Sequence, residues 1–528
     1  MKSTVKFVIA FLLVFAAYLA IHQKWIINLI ITQYDANQFY ASATNALLIA
    51  CTGIFFSLTV LTVRRWVIAV FLLLVLPALM SGFLYSRILG ATMDFDAFNL
   101  LIHEAGKTQD FIKQYYRTVI LAFGLVTIIL TNTLIARFMA YKKRPYNDMI
   151  SGLSIAGLIA TPLLAFGSQY FPRYAPTYDS APWIYSYHLM ATPEPMINHN
   201  ISATPDKSEI SKIVLIIDES VTYDAFVNQI ANNGFISVDY INYGNAISGG
   251  NCSASANALI RWAANPMEVI MNKDPRSYPT LWDYAKKADY ETVLVDGQTS
   301  PGRMPGNFMH KGEQESIDII HQIKGGIETD LQIAEKIHSV ITQNKPSFVY
   351  AILRGAHFPY DGFPDSDHAG MTDLERYSAS IAYSKRHFFE TLLRNVDLHE
   401  TLIIYTSDHG QNIVKGRAAH CNSLDYDAKE YSVPLLAITQ NEHFLKALTE
   451  LNSPGSSRVS HLQIAPTLLI AMGYDKTHVE NAIFPSLLSK AEYTYLFQHA
   501  VFPSLRNTPP PYERVSLADG LITGKPRR

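Results

Sequence analysis

Apolar positions are unevenly spread along this chain, and its two halves carry different periods. In the first ~170 residues five long runs are almost free of charge: Phe7–Ile21, which extends back to about Val5, then 43–63, 66–86, 117–140 and 149–168. Each approaches the ~20 residues an α-helix needs to cross a hydrocarbon core, so five transmembrane helices are predicted. Past residue 212 the apolar runs shorten to 213–217, 292–295, 347–353, 402–406 and 434–438, the length of strands buried on both faces. Between them, 254–263, 280–288, 329–342, 371–396 and 461–472 read as helices. That alternation predicts an α/β domain, a mostly parallel sheet with helices on both faces. Pro466–Gly473 fits a helix closed by a glycine C-cap.

The stretch from Phe171 to Lys212 is rich in Pro, Tyr, Ser and Thr and has no clear period, which predicts an extended linker. The expected organisation is a transmembrane domain over 1–170, a linker over 171–211, an α/β domain over 212–505 and a loosely held tail over 506–528. The first span lacks a small-residue cleavage site with a polar start after it, so it is read as uncleaved. Lys2 and Lys6 precede it, Arg64 and Arg65 separate spans two and three, and Arg137, Lys142, Lys143 and Arg144 fall between spans four and five. The positive-inside rule then puts the N-terminus in the cytoplasm, and an odd number of spans puts everything after about residue 170 on the far side. The segment Gly90–Gly106, between spans three and four, falls on that outer face. It reads either as a solvated connecting helix or as an interfacial element near lipid headgroups.

The composition is too apolar for a wholly soluble protein and too polar for one that lies entirely in a membrane. Of 528 residues close to half are apolar, and the formal net charge is −2. No basic stripe suggests nucleic acid. Of three cysteines, Cys51 lies in an apolar run; Cys252 and Cys421 form one disulfide in an oxidising compartment or serve another purpose.

Candidate chemistry sits at strand ends. Lys212–Ser220 runs five apolar residues into Asp218 and Glu219, and Thr401–Gly410 runs into Asp408 and His409. Ligands in open α/β sheets bind beyond the carboxyl ends of such strands. If the two ends are neighbours, four metal-type ligands converge, of the kind a zinc site uses. A third stretch, Gly249-Gly-Asn-Cys-Ser-Ala-Ser-Ala256, leads glycines into a helical run. A nucleophile there would gain from the helix N-terminus, whose free N–H groups also suit an anionic phosphate or sulfate. Its ordinary reading is an N-cap by Ser253 with Cys252 as a small buried residue. His357, after the strand ending near Leu353, and His420, in the loop after His409, are candidates for a second metal, a phosphoryl contact or a general acid.

At these residues the sequence resembles the membrane-anchored phosphoethanolamine transferases of Gram-negative bacteria, within the alkaline phosphatase/sulfatase superfamily. The resemblance covers nearly the whole chain and implies a sulfatase-like catalytic domain in the periplasm, anchored by multiple passes in the bacterial inner membrane. It implies zinc held by Glu219, Asp408 and His409, with His357 in the matching Gly-His segment and His420 as a looser match. It also assigns Gly90–Glu104 to a periplasmic helix that helps bind lipid. The implied donor is phosphatidylethanolamine, and the implied acceptor a lipopolysaccharide or other envelope glycan. The chain departs from the family at the nucleophile, where the transferases carry Thr and the sulfatases Cys-x-Pro-Ser-Arg. In that register Cys252 ranks first, Ser255 second and Ser253 third, and a Cys252–Cys421 bridge would remove the first. Ala254 and Ala256 replace the Pro and Arg that direct formylglycine formation. Alternatives within the superfamily are a phosphoglycerol transferase, a sulfate or phosphate ester hydrolase, and a degenerate lipid-binding member.

Overall fold

A computed structural model describes residues 2–31, 39–89, 92–93, 95, 98, 101–102, 108–141, 146–167, 176–191, 197–299, 309–413, 419–422, 426–450, 459–498, 501–502 and 510–518. The chain forms two compact units, Met1–Pro193 and Glu194–Arg527.

The first unit is built on five long helices: α1 Lys2–Ile21, α2 Phe39–Thr62, α3 Arg65–Leu89, α4 Thr108–Ala140 and α5 Asn147–Gly167. Each contains a window of 18 residues or more that is apolar enough to span a bilayer. Leu73, Leu121 and Leu164 are each 73% exposed, which suits a hydrocarbon surround and not water. Val14, Tyr18, Val60 and Leu79 face inward. The expected linker contains a further helix, α6 Ala181–Ala191. Pro182 hides it from a reading of composition, yet proline is well tolerated in a first helical turn, where no N–H is needed. Most of the connecting segment Gly90–Gly106 lies outside the described residues.

The second unit is an α/β domain around a seven-stranded sheet. Its strands are β1 Lys212–Asp218, β2 Ile241–Ile247, β3 Glu291–Asp296, β4 Ile319–Gln322, β5 Ser347–Ile352, β6 Thr401–Ser407 and β7 Ser432–Ile438, in the order β2-β7-β6-β1-β5-β3-β4. Five neighbouring strands, β6 to β4, run parallel, and β7 pairs antiparallel with both β6 and β2. β1 is central and buried along its whole length. Ile213, Leu215 and Ile217 pack into the core on one face of the sheet, Val214 and Ile216 into that on the other. Sequence periodicity misses β2, whose Asn242, Gly244 and Asn245 break its apolar run, and the short edge strand β4.

The helices that matter for the site are α7 Ser253–Arg261, α8 Leu281–Lys287, α9 Thr329–Ile341, α10 Asp373–Lys385, α11 Phe388–Leu393 and α12 Ile464–Ala471. The single helix expected over 371–396 is two. The backbone leaves helical geometry at His387 (φ −117°), and Phe388 and Phe389 turn fully into the core. Gly473 closes the α12 segment at φ +97°, and a Cβ there would lie 2.1 Å from the Asp206 carbonyl oxygen. The tail is not loose throughout. Tyr512–Ser516 forms β9 and pairs antiparallel with β8, Tyr493–Phe497.

Candidate active site

Sheet register brings the two acidic strand ends together. Asp218 stands opposite Ser407 on parallel neighbours, so Glu219 and Asp408 leave the sheet side by side. The backbone then reverses at Ser220, which adopts φ +61°, a region costly for a residue with a Cβ. That turn directs the Ser220 N–H to Asp408 Oδ1 at 3.0 Å and its hydroxyl to Glu219 Oε1 at 2.8 Å. Such strain held at a ligand-bearing turn is typical of functional sites. Gly355 closes the other side at φ +53°, where a Cβ would lie 2.5 Å from Asp218 Oδ1 and 2.7 Å from Glu219 N. Only glycine fits there.

Glu219, Asp408 and His409 offer one ligand atom each, all within 4.8 Å of one another, and all three side chains are buried. His409 Nε2 lies 3.5 Å from Asp408 Oδ2 and 3.8 Å from Glu219 Oε1. Its Nδ1 meets the Gly410 carbonyl at 2.7 Å, which places a proton there and turns Nε2 toward the carboxylates. Asp408 Oδ2 is buried and accepts no hydrogen bond. Two buried carboxylates, one with an orphaned oxygen, are unfavourable without a cation. Burial and the neighbouring Glu219 charge push the Asp408 carboxyl up to about 7. Burial alone would lower His409, but the Asp408 and Glu219 carboxylates outweigh it and hold the imidazole above its ordinary value. Three ligand atoms of carboxylate and imidazole type converge on one point beside an unsatisfied carboxylate oxygen, so the donor set fits a metal ion.

Ser253 opens α7 and points at this cluster. Its hydroxyl is 3.1 Å from His409 Nε2 and 3.5 Å from Glu219 Oε2. The other two candidate nucleophiles are elsewhere. Cys252, ranked first from the sequence, is bonded to Cys421, and a disulfide sulfur carries no thiolate to attack with. Ser255, ranked second, is fully buried and donates to the Cys252 carbonyl at 2.9 Å. A one-residue shift from the expected register is enough to bring Ser253 to the front.

Asp218 does not join the Glu219–Asp408–His409 cluster either. Its Oδ1 accepts the Glu219 N–H at 2.9 Å, while Oδ2 takes the Tyr405 hydroxyl at 2.6 Å and lies 3.0 Å from Lys385 Nζ. The side chain is spent below the site. His420 stacks on His409 with centroids 4.3 Å apart, and its Nδ1 meets Gln411 Oε1 at 2.8 Å. Gln411 in turn donates to the Tyr360 hydroxyl at 2.8 Å. His357 follows β5 as expected and contacts the Phe358 carbonyl through Nδ1 at 2.6 Å, outside the three converging ligands.

Several contributors carry no motif. Gln298, after β3, donates to Glu219 Oε2 at 2.5 Å and to the Leu353 carbonyl at 3.1 Å. The disulfide fastens the His420 loop to the start of α7, reinforced by Cys421 N–H to the Asn251 carbonyl at 2.8 Å and by Asn251 Nδ2 to the Asn422 carbonyl at 2.8 Å. Ser253 and His420 are therefore positioned by one covalent clamp.

The sulfatase family model matches residues 211–474, half of the chain. Among solved structures, the chain resembles the integral membrane lipooligosaccharide phosphoethanolamine transferase A (EptA) from Neisseria meningitidis at 13% identity and a TM-score of 0.58, over 89% of this chain and 96% of that one. The C-terminal periplasmic domain of EcEptC from Escherichia coli, in complex with Zn, matches at 15% identity and a TM-score of 0.45, over 63% of this chain and 98% of that one. The lipoteichoic acid synthase LtaP from Listeria monocytogenes matches at 15% identity and 0.39, over 57% and 82%. No curated protein matches the chain in sequence. Five apolar helices followed by a sulfatase-like α/β domain is the same fold as the full-length EptA structure.

Proposed function

Because the chain belongs to the sulfatase family, we propose that it is a zinc-dependent phosphoethanolamine transferase of a bacterial inner membrane, with its catalytic unit in the periplasm. It takes phosphoethanolamine from phosphatidylethanolamine and passes it to a lipopolysaccharide or other envelope glycan. The observation that carries this reading is Ser253, at a helix N-terminus and against the Glu219–Asp408–His409 cluster. Five bilayer-length helices in the same chain favour a lipid donor over a soluble ester.

The Ser253 oxygen attacks the donor phosphorus, the bond from phosphorus to the diacylglycerol oxygen breaks, and a Ser253 phosphodiester remains. The serine loses one proton and diacylglycerol gains one; His420, stacked on His409, is the group assigned to carry it. An acceptor hydroxyl then attacks the same phosphorus and Ser253 leaves with its proton restored. The N-terminus of α7 has no side-chain cap, and first-turn N–H groups, which have no partners within a helix, suit phosphoryl oxygens. Zinc bound by Glu219, Asp408 and His409 would neutralise those oxygens and lower the pKa of the serine hydroxyl.

Mass spectrometry of the full-length protein incubated with phosphatidylethanolamine tests the proposal. A phosphoethanolamine adduct on the peptide containing Ser253 is expected. An adduct formed only from phosphatidylglycerol would instead make the enzyme a phosphoglycerol transferase.

Zinc binding should also depend on pH. The metal must displace a proton from Asp408, whose carboxyl stands at about 7, so affinity rises as pH rises through that value. One such proton predicts about tenfold tighter binding near pH 8 than near pH 6, and His409 adds to this in the same direction. Competition with a chromogenic chelator measures it, and a flat profile would contradict the assignment of Asp408 as a ligand.

A further inference from the structure

A carboxylate with no part in the chemistry above sits between the two arms of the disulfide. Glu430 is fully buried at the end of the short helix Ala428–Glu430. Its Oε2 accepts the side-chain amide of Asn251, the residue before Cys252, at 2.9 Å. Its Oε1 accepts the side-chain amide of Asn422, the residue after Cys421, at 2.7 Å, and Oε2 accepts the Asn422 backbone N–H at 3.4 Å. The Asp427 N–H reaches Oε1 at 3.1 Å and holds the carboxylate to its own turn. The Glu430 carbonyl takes the Gly410 N–H at 2.9 Å, which ties the same turn to the chain just after His409. One residue therefore joins the three segments that carry Ser253, His409 and His420.

Two further observations give that junction weight. Cys421 adopts φ +60°, a costly backbone for a residue with a Cβ, and such a conformation persists only where its surroundings over-determine it. The disulfide holds it on one side, and Glu430, through Asn422, holds it on the other. Burying a carboxylate is unfavourable unless its oxygens are bonded, and bonds to a charged acceptor are stronger than those between neutral groups. The N–H groups that meet Glu430 come from the two arms and from its own turn, and breaking the sulfur–sulfur bond removes none of them.

We propose that Glu430 is a positioning residue for the transfer reaction: a second, non-covalent clamp that keeps Ser253 and His420 aligned when the Cys252–Cys421 bond is open. The proposal rests on Ser253 and His420 acting as assigned above. Disulfide and carboxylate support the same alignment, so losing both costs more than the product of the separate losses.

A double-mutant cycle tests this, with Glu430→Gln crossed against Cys252→Ala/Cys421→Ala. Glu430→Gln keeps the side chain's length but sets an N–H against the N–H groups it must accept. With all three substitutions, kcat should fall about tenfold below that product, while KM moves little. Glu430→Gln/Asn422→Asp exchanges donor and acceptor, remakes the bond to the far arm and should recover part of the kcat that Glu430→Gln loses. A readout independent of turnover is alkylation of the reduced full-length protein. Cys252, 3% exposed, should react slowly in the wild type and about tenfold faster in Glu430→Gln, with Cys51 of the membrane unit as the internal reference. Multiplicative losses of kcat, an exchange variant no faster than Glu430→Gln, or Cys252 alkylation indifferent to Glu430 would overturn the proposal. The catalytic reading is judged separately, by the Ser253 adduct in the oxidised wild type. If that adduct forms while Cys252 alkylation ignores Glu430, only the clamp fails. If no donor labels Ser253 while Cys252 protection depends on Glu430, the catalytic reading fails and the clamp stands.

Discussion

Replacing Ser253 with alanine is expected to lower kcat for transfer by roughly 10³- to 10⁶-fold, the range seen when a nucleophilic serine is removed, and to abolish the covalent adduct. Zinc should still bind, because Glu219, Asp408 and His409 sit on β1 and β6 ends that Ser253 does not support. The contrast is with the double variant Cys252→Ala/Cys421→Ala. It keeps the hydroxyl but releases the clamp that fixes the His420 loop to the start of α7. That variant should still form the adduct and turn over slowly, with kcat reduced more than KM is raised, since His420 and Ser253 lose their common anchor. Treatment with a reductant should reproduce it in the wild type. Transfer assays on both variants, with the labelled peptide mapped, decide the matter. Full activity of Ser253→Ala, or an adduct on another residue, would remove Ser253 from the mechanism.

How far the sequence led depends on the kind of signal. Long apolar runs gave all five spans, because a bilayer demands length and little else. Buried parallel strands were legible as short apolar runs, and the acids at their ends pointed to Glu219, Asp408 and His409, which the fold brings together. What failed needed side-chain direction. Asp218 and Glu219 are adjacent and chemically alike, but successive side chains along a strand point to opposite faces, and Asp218 turns to Tyr405 and Lys385. Cys252 and Ser253 differ by one position on a helix start, and only the partner at Cys421, 169 residues away, removes the first from contention. Gln298 and Lys385 belong to no motif and act by where tertiary packing places them.

Lys385 is where the largest loss of stability is expected. Its ammonium is fully buried, 3.0 Å from Asp218 Oδ2 and 2.7 Å from Asp330 Oδ2. Those carboxylates organise the floor of the site. Asp218 accepts the Glu219 N–H, and Asp330 accepts the Arg354 N–H at 2.8 Å, at the mouth of the segment that carries His357. Lys385→Met leaves two buried carboxylates facing each other without a cation, a change that costs about 3–5 kcal/mol. The loss should depend on pH. Burial already raises the Asp218 carboxyl, Lys385 opposes that, and removing Lys385 raises it further. A carboxyl raised in the folded state favours folding at low pH and loses that contribution as pH rises through its folded value. Lys385→Met should therefore be closest to wild type in acid and fall further behind as pH rises toward neutrality. Adding Asp330→Asn should recover part of the deficit, because it removes one of the two unpaired charges. Thermal unfolding of the full-length variants across that pH range measures both effects. If Lys385→Met unfolded with the wild-type profile at every pH, the triad would contribute nothing, and the placement of Glu219 and Gly355 would have to come from backbone turns alone.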